Sequence, residues 1–151
     1  MIIRESLLDD PRVVALLHIH LTRARAETAP GSAHAFDLSG LKGPEVRFFS
    51  AWEGETLLGC AALYRLAPDH AEAKSMHTAE AHRGRGIGAA LVRHLIDEAR
   101  GMGVARLSLE TGSWPYFQPA HRLYERHGFR DCPPFADYVD DPNSRFMTRE
   151  L

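Results

Sequence analysis

A chain of 151 residues, 44% hydrophobic and 25% charged, has the makeup of one globular domain spanning residues 1–151, able to bury about two thirds of its unfolded surface. Its net charge of -2 provides no general field for nucleic acid, so any anion site has to be local. No apolar run approaches a membrane span, and MIIRESLLDD lacks the basic start and apolar middle of a signal peptide. The two cysteines, Cys60 and Cys132, form neither a disulfide framework nor a CxxC pair, which fits a reducing cytoplasm.

In chain order, IIRESL reads as a strand and DDPRVVALLHIHLTRARAE as a helix. Asp10 is placed to cap that helix and Pro11 to open it, with Val13, Leu16, Leu17 and Ala24 spaced as its apolar face. Residues 27–45 read as loop, with Phe36, Leu38 and Leu41 as anchors. VRFFSAW and TLLGCAALYRL form a hairpin around Glu53-Gly54-Glu55. AEAKSMHT, after a Pro-Asp turn, reads as the fourth strand. A glycine stretch leads into a helix with Leu91, Leu95 and Ala99 on one face and Val92 and Ile96 beside them, ended by Gly101 and Gly103. VARLSLET alternates as a half-buried strand, PAHRLYERHGF is a short helix from Pro119 to Gly128, and RFMTREL closes the sheet. The crossover through the glycine helix makes its flanking strands parallel. The class is therefore α/β or α+β with a mixed sheet.

The segment HRGRGIGAALVRH raises the chemical question, because three glycines alternate beside two arginines at a helix start. The first amides of a helix have no intrahelical partner, and the helix dipole adds partial positive charge. Glycines let that backbone approach a phosphate, and Arg83 and Arg85 can neutralise it. A Walker A loop is excluded, since no lysine followed by Ser or Thr stands at the helix start. Gly84, Gly86 and Ala89 satisfy a G-x-G-x-x-A fingerprint, with Glu110 as a ribose-binding acid, so a nicotinamide-dependent oxidoreductase stays open. Against it, the motif follows an antiparallel hairpin and too little chain remains for a doubly wound sheet. A glycine-rich turn without a ligand is the third reading.

Two motifs together carry a resemblance. RGRGIG (residues 83–88) resembles the R-x-x-G-x-G/A pyrophosphate motif of the GCN5-related N-acetyltransferase (GNAT) superfamily, and LYERHGF (residues 123–129) is similar to its L-Y-x-x-x-G-F signature. The order of elements matches along essentially the whole chain. The resemblance implies a mixed sheet splayed between its fourth and fifth strands, with acetyl-coenzyme A in the gap. It implies that the backbone of Met76, His77 and Thr78 holds the pantetheine arm and acetyl carbonyl. Arg83, Gly84, Arg85, Gly86, Ile87 and Gly88 would hold the pyrophosphate. Tyr124 would stand by the sulfur and Glu72 would face the incoming amine, with direct transfer and no metal. The implied acceptor is a small-molecule amine, and a homodimer is compatible with the reading. Chemistry agrees: a carboxylate helps deprotonate the amine, and a tyrosine donates to the departing thiolate. Ala79 stands where the family often has proline. Phe117 replaces an asparagine that often contacts the cofactor. The rival within the same fold is a non-catalytic module that senses acetyl-coenzyme A.

Other residues have plainer readings. His18 and His20 point to different helix faces and make a poor metal pair. Glu72 and Lys74 also fit a surface ion pair, and Tyr124 a packed aromatic. Trp114, Tyr116 and Phe117 either grip an apolar acceptor or plug the sheet. Cys60 lies mid-strand and reads as a small hydrophobe rather than a nucleophile.

Overall fold

Local signals set the elements of the computed structural model, which describes residues 1–35 and 37–151; the anchor expected at Phe36 lies outside the described residues. Strand β1 is Ile2–Glu5. Helix α1 runs Pro11–Ala26, and the Asp10 carboxylate accepts from the Arg12 amide at 2.9 Å, satisfying one of the helix's orphan donors. Val13, Leu16 and Leu17 are buried as their spacing predicts. Ala24 is not in the core; it lines a cleft. A four-residue helical turn, α2 (Leu38–Leu41), seats Leu41 in the core.

Strands β2 (Val46–Glu53), β3 (Thr56–Ala67) and β4 (His70–Thr78) continue the antiparallel run. Helix α3 (Ile87–Gly101) crosses to β5 (Arg106–Gly112). A 3-10 turn at Pro115–Phe117 feeds α4 (Gln118–Arg126), then come β6 (Arg130–Asp131) and β7 (Ser144–Glu150). Among the described residues, seven strands form one sheet in the order β1-β2-β3-β4-β5-β7-β6.

Its two faces are covered by different helices. On one, Leu91, Leu95 and Ile96 of α3 and Tyr124 of α4 pack against Phe49, Leu63, Leu107, Leu109 and Met147. On the other, Val13, Leu16 and Leu17 of α1 meet Phe48, Trp52 and Cys60. Because side chains alternate along a strand, Leu107 and Leu109 share one face of β5 while Ser108 and Glu110 take the other.

The feature that makes a site lies between β4 and β5. They are parallel, as the crossover requires, but paired only from His70–Arg106 to Glu72–Ser108. Below the opening, His70 Nε2 lies 2.7 Å from the Ser108 hydroxyl, itself 2.8 Å from that of Thr148. This polar chain ties β4, β5 and β7 at the point where the sheet parts.

Candidate active site

Past Glu72, alternate amides and carbonyls of β4 face the opening rather than a strand. The ladder with β3 also slips here, from Cys60–His77 to Ala62–Lys74. The extra residue forms a bulge in which Ser75 holds a left-handed φ of 53°. Such backbone is strained for a side-chain-bearing residue, at a cost of order 1–3 kcal/mol, and is concentrated at functional sites. Cys60 lies behind the bulge, fully buried, its thiol donating to the Ser75 carbonyl and pushed up to about 12 by burial. It packs and does not react.

The opening continues into a cleft of about 510 Å³. At its mouth, Gly84 and Gly86 take φ of 78° and 81°, and a side chain at either would project into open space. Gly86 caps α3 with no side-chain hydrogen bond, and no acidic residue sits in the first turn. The first amides of α3 are therefore bare toward the mouth, the arrangement that binds anions. Ile87 is a core residue, and Gly88 lets α3 approach Leu123 of α4, whose side chain would lie 3.0 Å from a Cβ there. Arg83 lines the cleft and reaches the Tyr116 hydroxyl at 3.4 Å. Arg85 stands outside that lining, paired with Glu53 and with the His82 ring, each at 2.9 Å.

Deeper in, Met76, His77 and Thr78 line the wall with Tyr124 opposite. The Tyr124 hydroxyl lies 3.8 Å from Met76 Sδ. Burial, with a smaller push from Glu110, raises that phenol to about 12, so it keeps its proton at neutral pH. His77 Nδ1 lies 3.3 Å from His20 Nδ1 on α1. Burial holds both rings at about 4, well below the usual imidazole range.

Glu72 is engaged. Its Oε2 accepts from the Tyr138 hydroxyl at 2.5 Å and the Lys74 ammonium at 3.3 Å. Lys74 also donates to the Tyr138 hydroxyl at 3.0 Å and the His34 carbonyl at 3.3 Å. The pair is buried and not on the surface. Glu110, which the sequence offered only as a ribose-binding acid, lines the same cleft from β5. Burial pushes its carboxyl up to about 7, where it can exchange a proton near neutral pH. The alternation of VARLSLET carried the signal, because it sets Glu110 on the face opposite Leu107 and Leu109. Tyr116 and Phe117 line the cleft, and the Phe117 ring occupies the space a Cβ at Gly112 would need. Trp114 is outside that lining and donates to Asn143.

Residues 13–129 match the model of the Acetyltransferase (GNAT) family. The chain belongs to that family. The GNAT protein is 49% identical to the uncharacterized N-acetyltransferase YsnE of Bacillus subtilis, over 93% of each chain. A structure of an acyl-CoA N-acyltransferase candidate from Klebsiella pneumoniae superposes with TM-score 0.83 at 28% identity, covering 99% of this chain and 97% of that one. A GNAT acetyltransferase from Elizabethkingia anophelis, solved with acetyl-CoA bound, shares the fold at TM-score 0.73 and 20% identity, covering 99% and 97%. This GNAT chain is an N-acetyltransferase that draws its acetyl group from acetyl-coenzyme A. Its cleft fits that co-substrate: bare amides and Arg83 suit a pyrophosphate, and the unpaired edge of β4 suits an amide-bearing arm. Neither a doubly wound sheet nor a nicotinamide site is needed to account for the glycines.

Proposed function

We propose that the protein acetylates a small amine, with Glu110 as proton acceptor and Tyr124 as proton donor. The observation that carries this is their shared position: both line the cleft beside the unpaired stretch of β4. Acetyl-coenzyme A supplies a thioester whose carbonyl carbon accepts the amine nitrogen. Glu110 takes the proton the amine must lose as the new C–N bond forms. Tyr124 gives its proton to the sulfur as the C–S bond breaks, and solvent returns both groups to their starting states. Backbone amides at the β4 bulge support the oxygen as it gains charge. Met76, His77 and Thr78 hold the pantetheine arm, and Arg83 to Gly88 hold the pyrophosphate, mainly through backbone. In this reading Glu72 orients Lys74 and Tyr138 at the acceptor end, since its Oε2 already accepts two donors. The whole chain works as one catalytic domain, and a cytoplasmic setting suits its free Cys60 and Cys132.

The test is free-thiol release from acetyl-coenzyme A across a broad amine panel, followed by a pH profile on the best acceptor. Wild-type kcat/KM should climb as pH passes about 7 and Glu110 ionises. Glu110→Gln should lose that step and about a hundredfold in rate, at the low end for a general base. A variant that keeps both the step and the rate would remove Glu110 from proton transfer.

A further inference from the structure

The wall of the cleft between α1 and β4 holds groups that the transfer chemistry does not use. His20, Ala24 and Thr28 line it at four-residue intervals along α1 and its exit, facing Lys74, Ser75 and His77 on β4. Thr28 and Ser75 are 6% and 7% exposed, and their hydroxyl oxygens are buried. Among the described residues neither has a hydrogen-bond partner. Buried hydroxyls are almost always satisfied, so two orphans on one cleft wall call for a ligand that satisfies them. The small side chain of Ala24 leaves room beside them.

The charge of that ligand follows from what lines the same wall. Lys74 and Glu72 neutralise each other, with the ammonium committed to Glu72, Tyr138 and the His34 carbonyl. Three guanidiniums line the cleft; Arg126 comes from α4, while Arg83 and Arg23 act on His77 of this wall. Arg83 lies beside the glycine loop and its anion. The Arg23 guanidinium carbon sits 5.1 Å from the Tyr116 ring centroid, and the side chain also hydrogen-bonds the Tyr116 hydroxyl, which leaves its remaining N–H donors for an acceptor oxygen. The His20 and His77 rings share one hydrogen bond through Nδ1, so one of the two carries its proton on Nε2 and can donate there. The cations near the histidines act in the same direction, since Lys74 opposes a proton on His20, and Arg83 and Arg23 oppose one on His77. The wall is thus a set of donors in a positive field, complementary to an anion with paired oxygens.

Resting on the amine-acetylation reading, we propose that the acceptor is a small amine that also carries a carboxylate, an amino acid in the broad sense, and that its carboxylate docks between α1 and β4 on the hydroxyls of Thr28 and Ser75 and the guanidinium of Arg23. Its amine then lies over the β4–β5 opening, toward Glu110.

The experiment compares thiol release from acetyl-coenzyme A with matched acceptors. Free amino acids are set against their primary amides and their decarboxylated amines, with a wide range of side chains. The acids should be preferred by at least about tenfold in kcat/KM, since a site that hydrogen-bonds a group discriminates against analogues lacking it. Thr28→Val and Arg23→Gln should each raise KM for the acid about three- to tenfold. Each should leave acetyl-coenzyme A affinity, measured by calorimetry, unchanged, with the fold checked by circular dichroism. Equal turnover of acids, amides and decarboxylated amines would overturn the carboxylate site while leaving amine acetylation standing. So would variants that raise KM equally for all three classes. No thiol release with any amine, despite tight acetyl-coenzyme A binding, would instead overturn the acetylation reading itself.

Discussion

Tyr124 is placed so that one side chain can serve both packing and the proposed chemistry. Its ring packs on Phe129, 5.9 Å between centroids, inside the α3–α4 core, while its hydroxyl faces Met76 across the cleft. Tyr124→Phe keeps the ring and deletes the donor. If the hydroxyl serves the departing thiolate, kcat and kcat/KM should fall together by about a hundredfold, because the bond is made mainly in the transition state. Affinity for acetyl-coenzyme A in a binding titration should hold. Wild-type turnover would assign Tyr124 to packing. Its place in an LYERHGF segment marked this tyrosine in the sequence. Glu110 carried no comparable motif; the alternation of β5 sets it opposite Leu107 and Leu109, and only the fold shows that this face borders the cleft.

At the scale of elements, the glycine loop and α3 act as one unit. Gly86 holds a φ of 81° at the cap, and open space surrounds the position a Cβ would take. Gly86→Val therefore meets no protein wall; the cost lies in the backbone and in the blocked approach of an anion. The fold should survive with a stability loss of order 1–3 kcal/mol, and acetyl-coenzyme A binding should weaken strongly in calorimetry. Unchanged affinity in the folded variant would take the loop out of the site. The two arginines should separate in the same assay. Arg83→Ala, at the cleft wall, should weaken binding more than Arg85→Ala, whose guanidinium is held by Glu53. Spacing treats these arginines as equals, and only the path of the loop distinguishes them. Elements were legible in proportion to their length. Capped α1 and long, periodic α3 stand out in the sequence. The four residues of α2 and the two of β6 are too short for any period to register.

For the molecule as a whole, burial of histidine sets a pH dependence. His20 and His77 are held at about 4, and burial lowers His70 and His121 as well. An unfolded imidazole titrates at about 6.5. As pH falls below that value the unfolded chain takes up protons that the folded one refuses until about 4, so stability drops across this window. Glu110 works in the opposite sense: its folded carboxyl takes a proton near 7 and an unfolded one near 4.5, which adds stability as pH falls between those values. Four histidines outweigh one glutamate. The urea midpoint should fall between pH 6.5 and 4.5, and more steeply in Glu110→Gln; a flat or rising midpoint would contradict the account.

The class of sheet and the course of the chain are legible in the sequence alone, because each rests on neighbours in the chain. Asp10 before Pro11, alternation in β5 and glycines before an apolar helix are local matters of backbone geometry and period. The tertiary structure alone decided which polar side chains meet. Glu72, Lys74 and Tyr138 are drawn from β4 and from the segment between β6 and β7, and His20 reaches His77 of β4 from helix α1. Burial of those groups, and with it the shifted protonation of Glu110, Tyr124 and the histidines, depends on how far β4 and β5 part. That parting follows from a bulge at Ser75 and a three-residue pairing, and no pattern within either strand encodes it.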